Sequence, residues 1–228
     1  MNEQEKRAAA LAATAEIVSG MTLGLGTGST AAYVVAHVGE RVAAGLVVRV
    51  VATSVETERA ARAAGLLVAD FADIAVVDLT IDGADEIDDR FFAVQGGGGA
   101  MVREKIVAAA SRRMVAVVDS SKMVMRIGAA KLPVEVLPFA CAYVTARLAA
   151  LGAEVVLRRT GGAPFLSDQG NIILDARSID LSDPAAVSDA IDAIPGVVGH
   201  GLFLREVSAI YVATGTVVTR LERQDKRG

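Results

Sequence analysis

Four short segments of the 228-residue chain gather residue types that can do chemistry. The first is Gly24-Leu25-Gly26-Thr27-Gly28-Ser29-Thr30, where an apolar strand (21–26) runs into a helix. Backbone N–H groups at a helix start, with the helix dipole behind them, attract anions, and Thr27, Ser29 and Thr30 add hydroxyl donors. Ser29 stands where a dinucleotide fingerprint needs its third glycine, and the next strand ends in Thr53-Ser54 rather than an acid. The lysine of a Walker loop is missing too. A phosphomonoester site is left, beside the plainer reading of a tight βα joint whose helix is capped by Ser29 or Thr30.

The second segment is Asp82-Gly83-Ala84-Asp85-Glu86-Ile87-Asp88-Asp89. It follows an apolar run (75–82), so its acids fall at the carboxyl end of a sheet, where open α/β folds place ligands. Asp82 and Asp85 flank a Gly-Ala turn and can hold sugar hydroxyls or shuttle their protons. A divalent cation is the rival, although the spacing is not that of an EF-hand; a solvated turn suits Asp88 and Asp89. The third segment, Gln95 followed by Gly96, Gly97, Gly98 and Gly99, is entropically costly inside a folded domain and suits close backbone approach to a ligand. Glu104, about a turn into the next helix, can look back into such a pocket, while Arg103 and Lys105 read as surface charges. The fourth is Asp119-Ser120-Ser121-Lys122, again past a strand. Lysine is scarce, five against eighteen arginines, and Lys122 suits a point-charge partner for phosphate or a solvated loop. His37, His200 and Cys141 lack partners at triad or metal spacing and read as structural or solvated.

The elements that must position these residues alternate. Helix patterns at 3–18, 31–44, 56–64 and 100–110 are separated by strand patterns at 46–53, 66–71, 75–82 and 114–119, which argues for βαβ units and a parallel, doubly wound sheet. From about residue 128 the texture changes. LPVEVLPFA leads into a helix (139–151), strands at 153–158 and 171–175, a helix at 184–193 and IPGVVGHGLF, a compact α+β insert. A strand-like tail (208–220) returns toward the first sheet, and ERQDKRG reads as a solvated end.

Composition narrows the classes. No apolar run reaches the ~18 residues of a membrane span, and MNEQEKR is not the basic, then apolar, start of a signal peptide. One cysteine fits a reducing, cytoplasmic setting. A net charge of −4 and a pI near 5.3 leave no basic footprint for nucleic acid. The expectation is an enzyme acting on something small.

In order and spacing, GLGTGST, TIDGADEID, GGGGAMVREKI, DSSK, LPVEVLPFA, GGAPFLSDQGNIILD and IPGVVGHGLF resemble the type A ribose-5-phosphate isomerases, over about residues 5–220. The resemblance implies a Rossmann-like parallel-sheet domain (1–130 and 204–228) with a smaller, ferredoxin-like α+β domain (131–203), in homodimers or homotetramers. It implies a cytoplasmic aldose–ketose isomerase of the non-oxidative pentose phosphate branch, interconverting ribose 5-phosphate and ribulose 5-phosphate through a cis-enediolate. No metal or redox cofactor is demanded. By the same resemblance Thr27, Gly28, Ser29, Thr30 and Lys122 hold the phosphate, with Lys6 in reach. Asp82, Gly83, Ala84 and Asp85 handle the sugar hydroxyls and ring opening, and Glu104 is the base. Gln95, Gly96, Gly97 and Gly98 line the sugar end. At Gln95 the family pattern has a lysine, which leaves three readings: a slower isomerase, another cation in its place, or a paralogue or sugar-phosphate sensor. Acyl or CoA transfer through a glutamate is the remaining alternative, without a visible nucleotide pocket.

Overall fold

The computed structural model describes residues 3–224. Its centre is a six-stranded sheet. Strand β1 (Thr22–Leu25) lies between β2 (Arg49–Ala52) and β3 (Leu79–Asp82); β4 (Met114–Asp119) follows, then β9 (Val207–Thr214) and β10 (Val217–Glu222) at the edge. All neighbours run parallel except the final β9–β10 pair. Helices α1 (Glu3–Ala13), α2 (Ser29–Ala43), α3 (Val55–Ala63) and α4 (Met101–Ala109) connect and cover it. Covering both faces explains why β4, MVAVVD, is buried at every position.

A second, four-stranded antiparallel sheet has the order β8 (Val197–His200), β5 (Leu132–Val136), β7 (Ile172–Arg177), β6 (Glu154–Leu157). With α5 (Cys141–Ala150) and α6 (Pro184–Asp192) it follows the βαββαβ order of a ferredoxin-like unit. Val134 and Val136 point into the α5–α6 core. Because side chains alternate along a strand, Pro133 turns to the opposite face, where its ring lies against Gly96. The second sheet thus backs the glycine run. Asp168, in the loop before β7, makes another link to the parallel-sheet layer, accepting from Val55 N at the start of α3 at 2.8 Å.

Several boundaries differ from those predicted. The first helix stops at Ala13 and continues as a 3-10 turn (Thr14–Glu16). The 66–71 segment forms only the bridge Val50–Val68 and then turns under the Asp70 cap. The tail is a hairpin rather than one strand. Gly215, with φ 60°, opens its two-residue loop, the position where type II′ turns take glycine. The pairs Glu86–Ile87, Ala93–Val94 and Leu202–Phe203 form a small third sheet. Two-residue strands carry no readable period, so the sequence offered no sign of them. Of the expected solvated end, Glu222 closes β10, and residues 225–228 lie outside the described residues. No helix among the described residues is long and apolar enough to cross a membrane.

Candidate active site

The chain runs from β1 to β2 on one side and then crosses back to β3 on the other, so the strand order reverses and a crevice opens at the carboxyl ends of β1 and β3. A cleft of about 140 Å³ lies there, small beside the roughly 300–1,000 Å³ of drug-sized pockets. Its walls are Lys6, the Thr27–Thr30 loop, Asp82 to Asp85, Gln95 to Gly98, Glu104 and Lys122. The structure therefore brings all the residues singled out for substrate contact into one place.

One end is built for an anion. Helix α2 begins at Ser29, and its N-cap is Gly28 at φ 102° with no side-chain cap. The hydroxyls of Ser29 and Thr30 do not cap the helix as expected, because a residue cannot cap a turn it already belongs to. Ser29 Oγ instead accepts from Lys6 Nζ at 2.8 Å, and Lys6, buried along its stem, also pairs with Glu3 at 2.8 Å. Thr27 Oγ1 lies 2.8 Å from Thr53 Oγ1. Lys122 comes from the turn after β4, which Asp119 caps through Ser121 N. That turn is fastened to α1 by Glu5, which accepts from Ser120 N at 3.1 Å and Ser120 Oγ at 2.9 Å, and also from Gly215 N at 2.7 Å.

The other end gathers carboxylates. Asp82, the last residue of β3, takes Thr27 N at 3.0 Å and Gly83 N at 2.7 Å on Oδ1, while its buried Oδ2 has no protein partner. Gly26 must be glycine here: a Cβ would fall 1.9 Å from Asp82 Oδ1. Burial pushes the Asp82 carboxyl up to about 7, against the two N–H donors and with help from the Asp85 charge. Asp85 Oδ2 accepts from Gly97 N at 2.7 Å, and a Cβ on Gly97 would meet Asp85 Oδ1 at 2.6 Å. Glu104 is 4% exposed, its Oε2 buried without a partner. Burial, then the charges of Asp82 and Asp85, hold its carboxyl well above the usual range. Gln95 is 2% exposed, and neither its Nε2 nor its Oε1 has a partner. Native proteins rarely leave such groups unpaired without a reason, and Asp82, Gln95 and Glu104 bring theirs to one cleft.

Other residues fall elsewhere. Asp88 is buried rather than solvated, accepting from Arg90 N and Phe92 N and pairing with the Arg90 guanidinium; Asp89 is exposed. Lys105 is not a surface charge: its ammonium lies 5.3 Å over the Phe203 ring and 3.4 Å from His200 Nδ1. His200 is fully buried, and Leu202 N donates to Nδ1, so the ring proton sits on Nε2, facing Ser188 and Asp192. Burial, then the Lys105 charge, lowers this imidazole to about 4, a structural neutral histidine. His37 is at the surface with Glu40. Sequence reasoning missed Arg158, which donates to the carbonyls of Gly96 and Gly97 from the second sheet.

A Rossmann-like sheet that sets an anion-binding helix start against buried, pKa-raised carboxylates defines an enzyme of proton-transfer chemistry on a small anionic substrate. Known proteins narrow that class. The family model for ribose 5-phosphate isomerase A (phosphoriboisomerase A) matches residues 49–216, and the chain belongs to this family. It is 53% identical over 214 residues, 94% of each chain, to the ribose-5-phosphate isomerase A of Sphingopyxis alaskensis. To that of Thermosynechococcus vestitus it is 43% identical, over 92% of this chain and 91% of the other. Among solved structures, ribose 5-phosphate isomerase A from Methanocaldococcus jannaschii superposes with a TM-score of 0.93 at 35% identity, covering 97% of this chain and 100% of that one. A D-ribose-5-phosphate isomerase in complex with phospho-erythronic acid gives 0.94 at 32% identity, over 98% and 100%.

Proposed function

We propose that the protein interconverts D-ribose 5-phosphate and D-ribulose 5-phosphate, and that the cleft between β1 and β3 is where it does so. One observation carries the reading: a helix start flanked by Lys6 and Lys122 shares a single cleft with Glu104, Asp82 and Asp85. Family membership and the relative bound to phospho-erythronic acid, itself a phosphorylated sugar acid, support it.

The phosphate sits on the N–H groups of Gly28 to Thr30, with Lys122 and Lys6 supplying charge. Asp82, whose carboxyl titrates near neutrality, gives or takes a proton as the furanose ring opens, and Asp85 holds a hydroxyl. Ionised Glu104 then removes the proton from C2 of the open aldose. The electron pair moves into the C1–C2 bond and the C1 carbonyl becomes the oxyanion of a cis-enediolate. The Gln95 amide and the Gly98 N–H face that charge. Glu104 returns its proton to C1 while the O2 proton passes to O1, leaving the C2 ketone. Every group needed is a proton donor or acceptor, and raised carboxyls suit proton transfer near pH 7.

The direct test is ribulose 5-phosphate formation by purified protein; tight sugar-phosphate binding without turnover would instead favour a sensor. Lys122→Ala is expected to raise KM about tenfold, the size of one lost charge-assisted hydrogen bond, with kcat within a few-fold of wild type. An unchanged KM would take Lys122 off the phosphate.

Residues 131–203 are proposed as a second unit, set on the 1–130 and 204–228 unit, that joins copies of the chain into a homodimer or homotetramer. Phe139 is 102% exposed with Leu137 and Tyr143 beside it, a cluster of large apolar side chains that suits an interface. Light scattering is expected to give a multiple of the 23.5 kDa chain mass, reduced by Phe139→Asp; a monomeric wild type ends this reading.

A further inference from the structure

The sugar end of the cleft holds three carboxylates and an uncharged amide, while both lining lysines, Lys6 and Lys122, belong to the anion end. A positive charge does reach the sugar end, from behind its wall. Arg158, next after β6, donates from Nη1 to Gly96 O and Gly97 O, each at 3.1 Å. Its Nε and Nη2 grip both oxygens of Asp175 on β7, and Asp175 also accepts from Lys131 Nζ at 2.7 Å. The Phe165 ring centre is 5.7 Å from the guanidinium carbon, and the same ring leaves no room for a Cβ on Gly99, which would approach it to 2.5 Å. The guanidinium is therefore fixed by a carboxylate, an aromatic ring and two carbonyls, with its side chain 10% exposed.

The two carbonyls matter because of what lies across each peptide. Gly96 C=O and Gly97 N–H are two ends of one peptide group, and that N–H donates to Asp85 Oδ2. Gly97 C=O shares its peptide with Gly98 N–H, and Gly98 lines the cleft. A cation on the carbonyl end polarises the group and strengthens the donor at the other end. Glycine at 97 also lets the chain pass within contact of the Asp85 carboxylate.

We propose that Arg158 is a positioning residue for the isomerisation: acting through the 96–97 and 97–98 peptides, it holds Asp85 in place and aims Gly98 N–H at the enediolate oxygens. The role rests on the reading of the cleft as the isomerase site. Arg158 touches no substrate, and its effect belongs to the chemical step rather than to phosphate binding.

The experiment compares wild type, Arg158→Gln, Arg158→Lys and Asp175→Asn in the ribose 5-phosphate assay, with inorganic phosphate as competitive probe and thermal melts as control. Arg158→Gln is expected to lower kcat by about 10–100-fold, below the cost of losing a direct oxyanion donor, with KM and the phosphate inhibition constant within about threefold. Arg158→Lys keeps the charge but not the fork, and is expected to recover part of that loss. Asp175→Asn leaves the guanidinium in place with a looser anchor and is expected to cost less than Arg158→Gln. The proposal is overturned by a folded Arg158→Gln with kcat within twofold of wild type, or by kcat and phosphate affinity falling together in all three variants. A wild type that does not isomerise overturns this role and the reading beneath it together; an active wild type with unaffected variants overturns this role alone.

Discussion

Glu104→Gln is expected to lower kcat by about 10³-fold, within the range for losing a general base, and to make the protein more stable at pH 8. Both effects have one cause. The carboxyl is 4% exposed with Oε2 unpartnered, and its neighbours Asp82 and Asp85 are acids. Burial and these charges raise its pKa above the ordinary 4.5. A carboxyl raised on folding adds stability below its unfolded pKa, and that contribution is lost as pH rises through the folded value. At pH 8, above the unfolded value, the wild-type fold therefore bears the cost of keeping this acid buried, whether as a charge or by holding the proton. Glutamine keeps the shape, removes that charge and cannot accept the C2 proton. Melting temperature is expected to rise by a few degrees at pH 8, with the gain vanishing below about pH 4.5, where glutamate is protonated in both states. KM is expected to stay within a few-fold, since the anion end is untouched. Turnover that survives the substitution would remove Glu104 as the base. A melting temperature unchanged at pH 8 would mean that the charge is stabilised in a way the structure does not show.

Gln95→Lys is expected to raise kcat by roughly 10–10²-fold. Losing one oxyanion donor outright costs about 10²–10³ in rate; Gln95 keeps a donor and lacks only the charge, so restoring the charge recovers part of that range. The site can receive it. Both amide atoms are unpartnered, so no protein hydrogen bond is broken, and the facing residues Asp82, Asp85 and Glu104 are acids. A second readout is independent of the rate. A cation beside carboxylates favours their ionised forms, so the acid limb of the pH–rate profile is expected to move to lower pH in the variant. If a folded Gln95→Lys shifts the limb without gaining rate, the amide already suffices. If it does neither, the side chain does not face the reacting carbons.

The site was legible because parallel sheets make it so. Three of the four chemical segments follow directly on strands of the parallel sheet, β1, β3 and β4, whose carboxyl ends converge without further instruction. Glu104 is readable for a similar local reason, lying one turn past the glycines. What stayed hidden depends on contacts between distant segments. Arg158 meets Gly96 across 62 residues, from a stretch with no motif. Lys105 and His200 meet across 95, so neither looks buried when its neighbours in sequence are read. Gly28 looks like one more glycine of the loop until its φ of 102° shows that it, and not Ser29, occupies the cap. The hairpin 207–222 hides because β9, its turn and β10 form one apolar, β-branched run.

Glu5 joins points 210 residues apart, linking the first helix to the turn at Gly215 and also to the loop that carries Lys122. In terms of chain growth, Lys6 is made long before the 207–222 hairpin, and its surroundings are complete only when that hairpin closes against β4. Contacts of such separation form after the loops between them have closed. The Lys6 end of the cleft is thus a late product of folding, although Lys6 and the glycine loop precede that hairpin in the chain. A growing polypeptide with α1, α2 and the glycine loop already out has the parts of an anion site and still lacks the brace that sets them.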